Sequence, residues 1–240
     1  MTTQPVNLDP VGDASRPWFA HYPPGVTPRI SAPAEHSLGE LAHAAAEHHG
    51  DRTAFSNLGG TLSFREVDQI ATRIASYLQN ELGLNKGDRI VLQMPNLLQY
   101  PVALYGALRA GLVVVNANPL DTATELAAVL KDAEPRAMIV LANFAATASK
   151  VVGDTTIEHM IVTEAGDMLH QPKRAIVNLV AKRVKKMVPA YDLPGAIAFR
   201  DLLTGDPGRF TDPRVEPEDL AFLQYTGGTT GGTKAAMLTH

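Results

Sequence analysis

Short apolar runs alternate with helix-length stretches through the middle of this 240-residue chain, and that alternation restricts the fold more than any other feature. Arg89-Ile90-Val91-Leu92-Gln93-Met94 reads as a strand, Tyr100–Ala110 as an apolar helix closed by Gly111, and Leu112-Val113-Val114-Val115-Asn116 as a buried strand. Thr124–Lys131 reads as a helix and Ala137-Met138-Ile139-Val140-Leu141 as a strand, and Ile157–Val162 continues the series. Continuous apolar runs of this length, bounded by turn residues, are strands covered on both faces. Strand and helix in turn at βαβ spacing predict an α/β fold, a doubly wound and largely parallel sheet with helices on both faces.

The segments before this series carry local signals. Residues 1–33 are rich in proline and polar residues and read as an extended arm pinned by aromatics such as Trp18 and Tyr22, with 34–240 forming the main body. Ser37 followed by Glu40 is a capping-box pattern that opens a helix ended by Gly50-Asp51. Thr53–Ser56 and Thr61–Phe64 flank Gly59-Gly60 and predict a hairpin. Ser63 and Glu66 cap a further helix with Val67, Ile70, Ile74, Leu78 and Leu82 on one face.

Composition excludes several classes. There is no cysteine, hence neither a disulfide framework nor a thiol nucleophile. No apolar run reaches the roughly 18 residues of a membrane-spanning helix, and the polar N-terminus lacks a signal-peptide core. A cytoplasmic protein is the expectation.

The chemistry concentrates near the end of the chain. The strand-like Leu220-Ala221-Phe222-Leu223-Gln224 leads directly into Tyr225-Thr226-Gly227-Gly228-Thr229-Thr230-Gly231-Gly232-Thr233-Lys234. Glycines permit tight turning and close approach of a ligand to backbone N–H groups, and successive N–H groups form an anion-binding concavity. Threonine hydroxyls add donors and Mg²⁺ ligands, and one lysine adds a point charge suited to phosphate. The run reads as a polyphosphate cradle for ATP. A flexible Gly/Thr linker is the alternative, but linkers seldom follow a buried strand or end an ordered Thr-Gly run with one lysine. No register fits the Walker pattern, because Thr233 falls on the required Lys when counting starts at Gly227 and on the second Gly when it starts at Gly228.

With Ala235-Ala236-Met237-Leu238-Thr239-His240 behind it, the run resembles the signature loop of the acyl-adenylate-forming superfamily, [YS]-T-[SG]-G-T-T-G-x-x-K-G. Ala235 stands where that pattern has Gly, and Thr233 where relatives often have Pro. Lys86-Gly87-Asp88-Arg89-Ile90, Met94-Pro95-Asn96 and the stretch from Gly111 to Pro119 resemble the same superfamily in the same order. Val188–Ile197 and Glu216–Gly228 are similar to the bacterial long-chain fatty acid–CoA ligases within it.

The resemblance implies ATP-dependent activation of a long-chain fatty acid to an acyl-adenylate and then to acyl-CoA, with ATP, Mg²⁺ and coenzyme A. By match to the motif, Thr226, Gly227, Gly228, Thr229, Thr230 and Gly231 bind phosphate. Lys234 binds phosphate too and is the catalytic candidate, and Thr229 is the candidate Mg²⁺ ligand. The chain stops soon after the loop, and the family's Mg²⁺-binding Glu, ribose-binding Asp and C-terminal lysine have no counterpart in it. An N-terminal fragment, inactive alone, is therefore expected, and apolar surface left uncovered makes a homodimer one expected form. Two alternatives stay open: another adenylating enzyme (a fatty acyl-AMP ligase or an aryl-CoA ligase), or a non-catalytic module binding a membrane or a partner.

One other segment stands out. Between Gln171 and Tyr191 lie Lys173, Arg174, Lys182, Arg183, Lys185 and Lys186 and no acid, while the whole chain is −4. Ile176, Val180, Val184 and Met187 form an apolar stripe at helical spacing. A basic amphipathic helix suits weak, salt-dependent binding to an anionic membrane surface, which would make the protein peripheral at the inner face. The competing reading packs the stripe on the protein's own core and leaves the charges solvated. Nucleic acid is not expected as a partner, because no aromatic interleaving or recognition motif accompanies the charge. His43, His48 and His49 read as solvated helix-end residues, and Asp132 and Glu134 as surface charges.

Overall fold

The computed structural model describes residues 17–26, 35–226 and 234–240. The chain divides into two units, Met1–Glu35 and His36–His240. In the small unit Pro17–His21 is a 3₁₀ turn, coiled where the proline content predicts extended chain. The rings of Trp18, Phe19 and Tyr22 pack edge to face within it, 6.1 and 5.5 Å between centroids.

The large unit begins with α1 (Leu38–His49), capped by the Ser37 hydroxyl, which accepts the Glu40 N–H. The Glu40 carboxylate returns to the His36 N–H at 2.8 Å, so this capping box is displaced by one residue. Strands β1 (Thr53–Asn57) and β2 (Gly60–Ser63) form the predicted hairpin. Its turn is Leu58-Gly59, with φ of 48° and 67°, the two positive values that a type I′ turn requires. Helix α2 (Phe64–Asn80) opens with the complete Ser63–Glu66 capping box and buries Val67, Ile74 and Leu78.

There follow β3 (Arg89–Gln93), α3 (Gln99–Arg109), β4 (Val113–Asn116), α4 (Ala123–Ala133), β5 (Ala137–Leu141), α5 (Ala145–Ala148) and β6 (His159–Thr163). Then come α6 (Lys173–Leu179), β7 (Ile197–Ala198), α7 (Phe199–Leu202), β8 (Leu220–Thr226) and β9 (Lys234–Thr239). The sheet order is β7-β6-β5-β3-β4-β8-β9, parallel throughout except for the β8–β9 pair. The sequence-predicted α/β architecture therefore holds, with element ends shifted by a residue or two. Helix α4 starts earlier than its apolar pattern because Thr122 and Glu125 form a second full capping box.

Strand side chains alternate between two cores, as a sheet covered on both faces requires. Ile90, Leu92, Val114 and Ile139 face the core shared with α2 and α3. Val91, Val115, Met138 and Val140 face the core shared with Leu126 and Leu130 of α4. Helices α2 and α3 meet where α3 has Gly106, and a Cβ built there would stand 2.6 Å from Ile74 Cγ2. The glycine thus leaves the room that the Ile74 side chain occupies.

The chain passes from β3 to β4 through α3 on one face, then crosses back over β3 to β5 through α4 on the other. The carboxyl ends of β3 and β5 consequently flank a topological switch point, where open α/β sheets bind ligands. At the opposite, amino edge Arg136 bridges Asp88 (2.7 Å) and Glu158 (2.6 Å), tying β3, β5 and β6 together.

Candidate functional site

Strand β8 lies parallel to β4 and ends with Thr226 at the carboxyl edge of the sheet, with β4 between it and the strands of the switch point. Strand β8 ends at Thr226 and β9 begins at Lys234, and these two residues are paired in the antiparallel β8–β9 register. Of the predicted phosphate-binding residues, Thr226 ends β8 and Lys234 starts β9 with its side chain exposed. Gly227, Gly228, Thr229, Thr230 and Gly231 lie outside the described residues, and with them the Mg²⁺ call on Thr229. Lys234 forms no ion pair among the described residues.

The root of the run is held from both faces of the sheet. On one face Gln224 Oε1 accepts from Asn116 Nδ2 at 3.2 Å, and Asn116 Oδ1 accepts from the Tyr100 hydroxyl at 3.0 Å. On the other face the Tyr225 hydroxyl donates to Asp132 Oδ2 at 2.6 Å. Burial raises the Tyr225 phenol above its ordinary value, and the Asp132 carboxylate that accepts its proton raises it further. Burial likewise raises the Tyr100 phenol, against the hydrogen bond to Asn116. Both phenols therefore stay protonated donors at neutral pH.

Asp132, read from sequence as a plain surface charge, is thus an anchor of the loop root. Tyr225→Phe is expected to cost about 1 kcal/mol of stability, the net worth of one partly exposed hydrogen bond. It should also speed amide exchange at Thr226 relative to β4. Unchanged exchange there would remove Asp132 from this role.

A further polar residue reaches the same edge. Gln93, fully buried at the end of β3, donates from Nε2 to the Asn118 carbonyl at 3.3 Å, while its Oε1 has no hydrogen-bond partner. On the α3 face of the sheet a cavity of about 370 Å³ opens between the hairpin and α3, lined in part by Phe55, Asn57, Asn96, Tyr100 and Tyr105. Tyr100 joins this cavity to the loop root.

The outer ends of β8 and β9 are fixed to the rest of the unit as well. Asp219 accepts from Lys86 Nζ at 2.6 Å, and hydrogen bonds from Lys86 and from the Glu216 N–H lower its pKa. His240 Nδ1 accepts the Leu38 N–H at 3.1 Å, and the His240 N–H donates to the Asp219 carbonyl. Burial holds the His240 imidazole below its ordinary value of 6.5, against the pull of Asp219. With the folded pKa depressed, the unfolded chain takes up the proton first. Stability from this contact is then complete above about pH 6.5 and falls as the pH drops below it toward the folded value. His240→Gln is expected to flatten the melting temperature measured between about pH 7 and 5, and an unchanged slope would refute the assignment.

The basic segment departs from the reading that packs its stripe on the core. Helix α6 gives way to a π-helical stretch, Val180–Val184, so the segment is not one regular helix. The stripe does not pack on the core: Ile176, Val184 and Met187 are 56%, 67% and 55% exposed. His43 is also not merely solvated, since its Nδ1 lies 3.0 Å from Asp68, which pairs with Arg109. No helix among the described residues is long and apolar enough to cross a membrane.

Residues 41–240 match the family model described as AMP-binding enzyme. The chain belongs to that family. In this AMP-binding enzyme β8 ends and β9 begins at the carboxyl edge of the parallel sheet. The chain is 49% identical to a long-chain-fatty-acid–CoA ligase of Haemophilus influenzae and 50% identical to one of Salmonella typhimurium, in each case over 93% of its own length. It spans 40% of the length of each of these relatives. Among solved structures it is similar to a long-chain-fatty-acid–CoA ligase from Archaeoglobus fulgidus, with a TM-score of 0.67 and 25% identity over 88% of this chain and 38% of that one.

Proposed function

We propose that the chain is the phosphate-binding part of a long-chain fatty acid–CoA ligase that forms AMP. The observation that carries this reading is the Gly/Thr run, rooted between Thr226 and Lys234 at the carboxyl edge of a parallel sheet. The described part of the site fits a polyphosphate: the ammonium of Lys234 is exposed and unpaired among the described residues, and the N–H-rich run follows the strand end directly.

In the first step a fatty acid carboxylate oxygen attacks the α-phosphorus of ATP. The bond from that phosphorus to the bridging oxygen breaks, and pyrophosphate leaves with the electron pair. Thr226, Gly227, Gly228, Thr229, Thr230 and Gly231 direct N–H and hydroxyl donors to the β- and γ-phosphates, and Lys234 balances their charge through departure. Mg²⁺ bound with the nucleotide would add further charge neutralisation, and Thr229 is the residue of this chain proposed to hold it. In the second step the thiol sulfur of coenzyme A attacks the acyl carbonyl carbon, AMP leaves with the electron pair of the C–O bond, and the thiol proton passes to solvent.

The fatty acid substrate partitions into bilayers, which supports a cytoplasmic enzyme peripheral to the inner face of the membrane.

The test is acid-dependent ATP–pyrophosphate exchange, scanned from acetate to palmitate and through aryl acids. It compares this chain with a chain extended to the relatives' length. Exchange that rises with acyl length in the extended chain, with none in the shorter, is the expected result. Exchange confined to aryl acids would assign a different adenylating enzyme, and none with any acid would overturn adenylation.

A further inference from the structure

The segment Lys173–Met187 has two faces of different character. Toward the domain lie Arg174, Val177, Asn178 and Ala181, at i, i+3, i+4 and i+7, all half-buried. Val177 packs against the core under α2 and α3. The Asn178 side chain accepts the Gly166 N–H at 2.7 Å and donates to Asp167. A Cβ at Gly166 would stand 2.7 Å from the same amide oxygen and 2.9 Å from the Arg174 carbonyl oxygen. Loop and helix backbones are therefore in close contact, and the segment is fixed to the domain by this face.

The other face carries Ile176, Leu179, Val180, Val184 and Met187, every one exposed. The Lys173 side chain lies beside Gly59, next to the exposed Leu58 of the hairpin turn, which brings one more apolar side chain close to the patch. Six cations surround the stripe and no acid occurs between Gln171 and Tyr191. None of the six pairs with a carboxylate among the described residues. The whole chain is −4, so the remainder carries −10 and the positive charge is local to this face.

Two copies meeting through this face would set six cations against six. A polyanion without an apolar phase would leave the stripe wet. An anionic bilayer satisfies both features together, with phosphate headgroups for the cations and acyl chains for the stripe. We infer that Lys173–Met187 is an anchored docking surface for anionic phospholipid bilayers, with Ile176, Leu179, Val184 and Met187 entering the interface. The inference rests on the ligase reading only for its purpose, because docking requires neither nucleotide nor acid.

The test is flotation of the 240-residue chain with phosphatidylcholine vesicles, with and without phosphatidylglycerol, in the absence of ATP. Binding is expected only to the phosphatidylglycerol vesicles and should weaken steadily as salt rises. Replacing Lys182, Arg183, Lys185 and Lys186 by Ser should weaken it about fivefold per cation removed. Val184→Asp should abolish it while leaving the unfolding midpoint unchanged, since Val184 is exposed. Equal binding to neutral and anionic vesicles, or no binding by the folded chain, would overturn the proposal. So would a dimer in solution that Val184→Asp dissolves without any vesicle binding. Adenylation can fail its own assay while this one succeeds, and the reverse.

Discussion

In the chain extended to the relatives' length, Lys234→Ala is expected to lower fatty-acid-dependent ATP–pyrophosphate exchange about 10²–10³-fold, the usual loss when one electrostatic contact to developing charge is removed. The side chain begins β9 directly across from Thr226, so its backbone is fixed by the sheet while its ammonium stays free of carboxylates among the described residues. In the proposed reaction a charge held in this way would meet the departing pyrophosphate with little reorganisation. The loss should appear in kcat as well as in KM for ATP, because the phosphate charge that Lys234 balances grows as the bond to the α-phosphorus breaks. Lys234→Arg keeps the charge but spreads it over a planar fork, and should fall between the two. Folding stability should not change, since the side chain is exposed. Exchange within about threefold of the unsubstituted enzyme would remove Lys234 from the reaction.

Ile74→Ala is expected to destabilise the chain by about 2–5 kcal/mol, read from urea unfolding, as for other large-to-small changes in a packed core. Ile74 is fully buried, and its γ-methyl fills the space that Gly106 leaves open on α3. Gly106→Ala alone should also destabilise, by about 1–3 kcal/mol, because the added methyl would overlap Ile74. In the double variant each change relieves the other: the new methyl occupies part of the cavity, and alanine favours the helix over glycine by about 1 kcal/mol. The double variant should therefore be more stable than the sum of the two single losses predicts. Strict additivity would show that α2 and α3 do not meet through this pair.

The sheet and its two layers of helices were legible in the sequence because period and punctuation agree along β3, α3, β4, α4 and β5. Each strand is a short apolar run, and caps such as Ser63–Glu66 mark where helices begin. The loop was legible because its chemistry is contiguous. Its supports were not, because they are distant in sequence: Asp132 meets Tyr225 and Asn116 meets Gln224 only after the sheet has formed. An isolated Asp at the end of a helix carries no local sign of such a partner. The basic segment shows a different limit. An amphipathic stripe identifies an apolar face without saying what that face meets, and here Val177 and Ala181, not Ile176 and Val184, turn inward.

Strand order has a consequence for how the molecule matures. The strands β8 and β9 are neighbours in the chain and can zip together locally, whereas Gln224 reaches its partner Asn116 across a separation of 108 residues. Closing so long a loop is entropically costly before its contacts form, and contacts of such high order come late. The pairing of β8 with β4, more than that of β8 with β9, is therefore expected to slow folding.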